Sequence, residues 1–214
     1  RNIAWGLNQI SYGSEDGLYI NGHVTGNSPY LTFEWKAGKD GEHHEVKTQL
    51  IGEYNFANAL AAVTIGHFFD VESGKIDTAL KEYTPQNNRS QLKQTADNTL
   101  IIDAYNANPT SMQASISNFH NMEIDNKMLI LGDMRELGKD GPKEHQKIVD
   151  FLTECGFKDV MLVGEQFAAA RHDFPTYPDA PAVIEALQKN KPHGKTILIK
   201  GSNGIKLSTV IDYL

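Results

Sequence analysis

A short polar segment holds the residues best suited to chemistry: Asp103, Tyr105, Asn106, Asn108 and Ser111 bring a carboxylate, a phenol, two carboxamides and a hydroxyl close together. Such groups bind ligand hydroxyls, amines and phosphate oxygens. The carboxylate arrives where the apolar run Leu100, Ile101, Ile102 stops, and that run reads as a strand buried on both faces. Asn108 then offers a helix N-cap and Pro109 a first helical residue, and Met112, Ile116 and Phe119 recur on one helical face. In an open parallel sheet, ligands bind beyond the carboxyl ends of the strands, where a carboxylate can accept bonds from ribose hydroxyls. Turn and cap chemistry also accounts for these residue types, and for Asn108 alone the cap is the simpler reading. For Asp103 the position after a buried strand favours a ligand.

Two further loops follow apolar strands. Gly132-Asp-Met-Arg-Glu-Leu-Gly138 carries Asp133, Arg135 and Glu136, which could be a solvated loop with one weak ion pair or a border of the same crevice. Lys200-Gly-Ser-Asn-Gly204 could hold a carboxylate or phosphate where the chain turns into a helix, and a tight turn explains it equally well. Gly194-Lys-Thr196 resembles the end of a phosphate loop, but it precedes a strand and Lys189 stands where the first glycine belongs, so it is set aside. Asn55 and Asn58 sit three apart near a helix start, where a ligand-facing pair and two tolerated polar residues of a first turn are equally good readings, and Arg89 lies in a polar break, where taken alone it is an ordinary solvated charge. Eight histidines and one cysteine show no metal-ligand spacing. Cys155, beside Phe151 and Leu152, suits a core better than a nucleophile, and no serine lies in a nucleophile elbow. No catalytic side chain and no metal ligand is assigned.

The elements that position these residues fall into two groups. Residues 30–36 alternate strictly, with Leu31, Phe33 and Trp35 on one face, and residues 44–50 can return as the partner strand after turn chemistry at 39–42. Residues 2–12 and 18–24 read as two more short strands of an antiparallel sheet. Helices follow over 54–69, with Phe56, Leu60, Val63 and His67 or Phe68 inward, and over 73–83, with Ile76, Leu80 and Tyr83 inward, before Pro85 stops the pattern. From residue 91 onward short apolar runs at 100–102, 128–131, 160–163 and 196–200 alternate with helical stretches at 109–119, 142–155, 165–171, 182–190 and from 205. That alternation predicts an α/β architecture with a doubly wound, Rossmann-like, mostly parallel sheet. Domains are expected at 1–87 and 88–214.

Composition narrows the function class. The 214 residues, 40% hydrophobic and 22% charged with a net charge of −7, describe a globular chain without the basic patch a nucleic-acid partner needs. No apolar stretch reaches membrane-span length and no leader pattern opens the chain. One cysteine excludes an internal disulfide and fits the cytoplasm. The chain opens on Arg1, which suggests a fragment of something longer.

Asp103-Ala-Tyr-Asn-Ala-Asn-Pro-Thr-Ser-Met together with Leu131-Gly-Asp-Met-Arg-Glu-Leu-Gly138 resembles the carboxyl-terminal domain of the Mur ligases, in the form that joins D-alanyl-D-alanine to the UDP-N-acetylmuramoyl-tripeptide. The resemblance extends to Gly52-Glu-Tyr-Asn-Phe-Ala-Asn-Ala-Leu-Ala-Ala62 and so covers essentially the whole chain. It implies that residues 1–87 are the end of a central ATPase domain with antiparallel strands and two helices, and 88–214 the complete carboxyl-terminal domain. It also implies ATP-driven amide formation in peptidoglycan precursor synthesis. Asn55 and Asn58 would border the adenine, Arg89 would reach the ATP phosphates and Asp103 the ribose. Tyr105, Asn106, Asn108, Ser111, Asp133 and Arg135 would border the amino-acid substrate. The Mg²⁺ ligands and phosphate loop are expected on an amino-terminal part of the same protein. Two rivals stand beside this reading: another amide ligase of the superfamily, such as a folylpolyglutamate synthetase, against which Tyr105-Asn-Ala-Asn-Pro109 argues, and a non-catalytic module that holds a small ligand.

Overall fold

Alternation at 30–36 does what period two dictates: Leu31, Phe33 and Trp35 are fully or almost fully buried, while Thr32, Glu34 and Lys36 are only partly covered. The computed structural model describes residues 7, 9–39, 41–86 and 88–214 and divides the chain into two units, Arg1–Thr84 and Pro85–Leu214.

The first unit pairs β1 (Tyr12–Gly13), β2 (Ile20–Asn27), β3 (Tyr30–Ala37) and β4 (His44–Ile51) in that order, antiparallel throughout β2 to β4 and parallel only between β1 and β2. Helix α1 (Phe56–Phe68) and helix α2 (Ser73–Glu82) cover one face, with Leu60, Val63 and Ile76 packed into the Leu31, Phe33, Trp35 and Val46 cluster. A buried polar contact pins α2 to the sheet: Trp35 Nε1 donates to Asp77 Oδ1 at 2.8 Å, and the His44 ring, stacked on Trp35 at 4.4 Å, meets the other oxygen at 2.8 Å. The indole donor and the imidazole explain how a carboxylate sits against an apolar core. Helix α1 carries apolar residues outside its buried face as well, and Ile65, Phe68 and the following Phe69 remain 50–72% exposed.

The second unit opens with β5 (Gln91–Gln94), an antiparallel edge on β6 (Thr99–Asp103). Then follow α3 (Pro109–Asn121), β7 (Lys127–Gly132), α4 (Gly141–Glu154), β8 (Val160–Val163), α5 (Glu165–Ala169), β9 (Thr176–Tyr177), α6 (Ala180–Lys189) and β10 (Thr196–Lys200). The six strands lie in the order β5-β6-β10-β7-β8-β9, parallel from β6 to β9. One sheet face, with Leu100, Ile102, Ile130, Ile197 and Ile199, packs on Val183 and Leu187 of α6 and on Leu207 and Val210 near the end of the chain. Alternation turns Ile101, Leu198, Asp103 and Lys200 to the other face, where Ser115 of α3 hydrogen-bonds Asp103.

Several expectations need correction. The helix expected from 205 is instead two 3₁₀ turns, Asn203–Ile205 and Leu207–Tyr213, separated by Lys206 in the left-handed region (φ 59°), a conformation that stops a helix. β5 is polar and β9 only two residues long, so neither carried a periodic signal. Tyr83 is 56% exposed because the backbone turns extended there (ψ 111°) and leaves the helical face, and on α1 it is His67, bonded to Tyr19, that points inward rather than Phe68. Helix α6 starts two residues early, at Ala180, with Asp179 as its N-cap, and α5 stops at Ala169. Of the strand expected over 2–12, residues 2–6 and 8 lie outside the described residues, and only Tyr12 of the others is in a strand.

Leu198 is 2% exposed at the centre of the larger sheet. Leu198→Ala leaves a cavity there and should lower stability by about 2–5 kcal/mol. Urea unfolding followed by circular dichroism should show the loss as a lower midpoint with an unchanged slope.

Candidate functional site

The carboxyl ends of β6, β10 and β7 lie side by side, and the register sets Lys200 directly across from Asp103 on one side and Leu131 on the other. Lys200 is 1% exposed, and its Nζ donates to Asp103 Oδ2 at 2.6 Å and to the Asn106 carbonyl at 3.3 Å. Ser115 donates to the same Oδ2 at 3.2 Å. A buried ammonium needs such a counter-charge. Holding Oδ2 from two sides fixes the plane of the Asp103 carboxylate at the strand end.

The loop after Asp103 is built from its own side chains. Asn106 Oδ1 accepts from the Ala107 N–H at 2.8 Å, which turns the chain toward α3. Asn108 Oδ1 accepts from the Ser111 N–H at 2.8 Å while Ser111 Oγ accepts from the Asn108 N–H at 3.2 Å, a reciprocal cap that opens α3. Asn108 and Ser111 are thus used to start the helix. Tyr105 stands out from the loop, 46% exposed, with the Arg89 guanidinium 3.8 Å above the ring centroid.

The loop after β7 is held from both sides. Asp133 accepts from the Gln166 N–H and the Phe167 N–H at 3.0 Å each, one per oxygen, and so caps α5. Gly164 (φ 121°) allows this approach, since a Cβ there would run into the carboxylate. The fully buried His145 accepts from the Met134 N–H at Nε2 (3.0 Å), which leaves its proton on Nδ1 for the Gly141 carbonyl at 2.7 Å. Ser202 joins the two loops: its Oγ accepts from the Arg135 N–H at 2.8 Å and donates to the Ala107 carbonyl at 3.4 Å, and its N–H donates to the Asp133 carbonyl. Arg135 lies exposed over Gly204, where any side chain would displace it. Beside it opens a cavity of about 670 Å³ whose walls include Glu136, Gly141, Glu165, Gln166 and Ile205. Among the described residues no carboxylate lies within ion-pair distance of Arg89 or Arg135, so both guanidiniums keep their charge for an anion.

The structure therefore gathers Asp103 and Asn106 with Lys200, sets Tyr105 under Arg89, and connects both loops through Ser202. Asn55 and Asn58 belong to the other unit. There the Asn55 carboxamide donates to the Ile51 carbonyl at 2.8 Å, and the exposed Asn58 amide is 3.5 Å from Asn55 Oδ1. Three contributors escaped the sequence reading: the Lys200 pairing, the His145 pin and the Ser202 bridge. The first and third join residues about 95 positions apart, which no local pattern records. His145, one turn into α4, was marked only as a neighbour of the loop. Cys155 is partly buried, and burial, with Glu154 adding to it, pushes its thiol above the ordinary value.

Comparison with known proteins places this geometry. The profile of the Mur ligase glutamate ligase domain matches residues 88–203. The UDP-N-acetylmuramoyl-tripeptide–D-alanyl-D-alanine ligase of Bacillus subtilis (strain 168) is 28% identical, with 96% of this chain and 48% of that protein covered. The ligase of the same name from Escherichia coli (strain K12) is 29% identical over 92% and 44%. Among solved structures, MurF from Acinetobacter baumannii superposes with a TM-score of 0.81 at 25% identity, covering 95% of this chain and 46% of the other. MurF from Thermotoga maritima, solved with ADP, gives 0.79 at 17% and shares the fold. The chain spans just under half the length of these relatives.

Two outcomes test the local chemistry. Lys200→Met strands the Asp103 carboxylate without its cation and should cost about 3–5 kcal/mol, most of which adding Asp103→Asn should restore, as read from denaturant midpoints. A raised thiol pKa means less thiolate at any given pH, so Cys155 should react with iodoacetamide at pH 8 more slowly than free cysteine does, as followed by mass spectrometry.

Proposed function

Because this chain belongs to the Mur ligase family, we propose that it is the carboxyl-terminal part of the ATP-dependent ligase that joins D-alanyl-D-alanine to the UDP-N-acetylmuramoyl-tripeptide in the cytoplasm. Residues 1–87 then form the end of the central ATPase domain and 88–214 the carboxyl-terminal domain. In this reaction the tripeptide carboxylate takes the γ-phosphoryl group of ATP, giving an acyl phosphate and ADP. The dipeptide amine attacks that carbonyl, and phosphate leaves as the amide forms. Such chemistry depends on placing charges and reactants more than on a reactive side chain.

The observation that carries the reading is the fixed Asp103 carboxylate at the carboxyl end of β6, the ligand end of an open parallel sheet. It takes the ribose hydroxyls. Arg89, which has no carboxylate within ion-pair distance among the described residues, takes phosphate oxygens, and Asn55 and Asn58 serve the adenine. Arg135 and the adjoining cavity suit a small zwitterion, with the guanidinium for its carboxylate, Glu136 or Glu165 for its amine and Asn106 at the loop before it. Asn108, Ser111 and Asp133 shape this crevice by capping α3 and α5. Mg²⁺ accompanies the ATP on ligands that this reading places in the amino-terminal half of the ligase. The exposed apolar side of α1, with Ile65 and Phe68, suits contact with that half.

Calorimetric titration of this chain with ATP·Mg²⁺, and separately with D-alanyl-D-alanine, tests the proposal. Weak binding of ATP·Mg²⁺ is expected, with Asp103→Ala lowering affinity at least about tenfold, the scale of one charge-assisted hydrogen bond. ATP affinity unchanged by that substitution contradicts the assignment. The chain alone should form no amide product, and ATP-dependent ligation by it would contradict the division of labour.

A further inference from the structure

Arg89 sits in an unusual turn. Asn88 (φ 58°) and Ser90 (φ 46°), on either side of it, both occupy the left-handed region, which side-chain-bearing residues seldom adopt. The Asn88 N–H is held by Gln91 Oε1 at 3.0 Å, at the start of β5. Ser90 is buried while Arg89 is exposed, so the turn throws one cationic side chain outward between two anchored neighbours. It lands on Tyr105, with Cζ 3.8 Å from the ring centroid, within cation–π distance. Tyr105 is two residues beyond Asp103, and the loop between is fixed by Lys200 through the Asp103 carboxylate and the Asn106 carbonyl.

We propose that Tyr105 is a positioning residue whose ring face, rather than its hydroxyl, holds the Arg89 guanidinium in place for the polyphosphate of a nucleoside triphosphate. This rests on the assignment of Arg89 to the phosphates. An arginine on an exposed turn otherwise samples many rotamers, and ordering it at the moment of binding costs affinity. A flat aromatic face removes part of that cost without neutralising the charge, which a carboxylate partner would do. A single loop thereby presents the ribose acceptor, Asp103, and the support for the phosphate donor, Arg89.

The test uses the 214-residue chain and three variants, Tyr105→Phe, Tyr105→Leu and Arg89→Ala. Tyr105 is half exposed, so these substitutions leave the core intact. In ¹H–¹⁵N spectra the Arg89 side-chain resonance, identified by its loss in Arg89→Ala, should be shifted upfield by the ring, remain so in Tyr105→Phe and return to its ordinary position in Tyr105→Leu. Titration with ATP·Mg²⁺ should be weakened most by Arg89→Ala, about two- to fivefold by Tyr105→Leu, and little by Tyr105→Phe. An unshifted Arg89 resonance in the native chain, or one indifferent to Tyr105→Leu, overturns the platform. Tyr105→Phe weakening ATP as much as Tyr105→Leu also overturns it, because the hydroxyl is then the contact. A ring-shifted Arg89 whose removal leaves ATP binding unchanged, or a chain with no response to millimolar ATP, overturns the polyphosphate role and leaves Tyr105 a structural support.

Discussion

A nearly inaccessible ammonium at the end of the central strand is the constraint on which the ligand end of this fold depends. Burying a charge there without a partner would be costly, and Asp103 on the neighbouring strand is that partner at 2.6 Å. An apolar pair could pack the same space at equal or better stability. The ions add direction: the carboxylate is tied at one oxygen, the Asn106 carbonyl is drawn to the same ammonium, and the loop between is left few conformations. The polar segment is therefore shaped before any ligand arrives, which is the condition for charges to bind without reorganising.

The neighbouring loop follows the same logic with side chains that bind backbone groups. His145 satisfies one backbone donor and one backbone acceptor around the 134–141 turn, and Asp133 spends both oxygens on the start of α5. Ser202 then joins the two loops with three hydrogen bonds. Among the groups left exposed are the Arg89 and Arg135 guanidiniums and the Tyr105 ring. Irregular backbone occurs at the same end at Asn88, Ser90 and Glu136 (φ 69°).

Much of this was readable from residues, because the signals were local. The apolar runs of β6, β7, β8 and β10 are short, buried on both faces and bounded by polar loops, so type and order followed from the sequence. Asp103 and the 132–138 loop stood out as candidates because each follows such a run. The Asn108 cap was readable for the same reason. The Lys200–Asp103 pair was not, since it depends on β10 inserting beside β6, a matter of strand order that periodicity does not encode. β5, with the composition Gln-Leu-Lys-Gln, is a strand because β6 has a free edge, and nothing in its own residues demands it. The 3₁₀ turns after Gly201 escaped for the opposite reason: their apolar residues do repeat, but Lys206 breaks the backbone between them.

Strand order also bears on how this unit comes into being on the ribosome. β10, the last of these six strands in chain order, occupies the lane between β6 and β7. Until it emerges those two strands stand roughly 10 Å apart, twice the spacing of paired strands, with both facing edges unpaired. Synthesis thus passes through a stage in which most of the sheet exists without its keystone and displays two inner edges able to recruit foreign strands. A nascent chain halted before residue 196 is accordingly a different object from one shortened at a surface helix. It lacks the middle of the sheet, and cellular quality control would meet it as an open template.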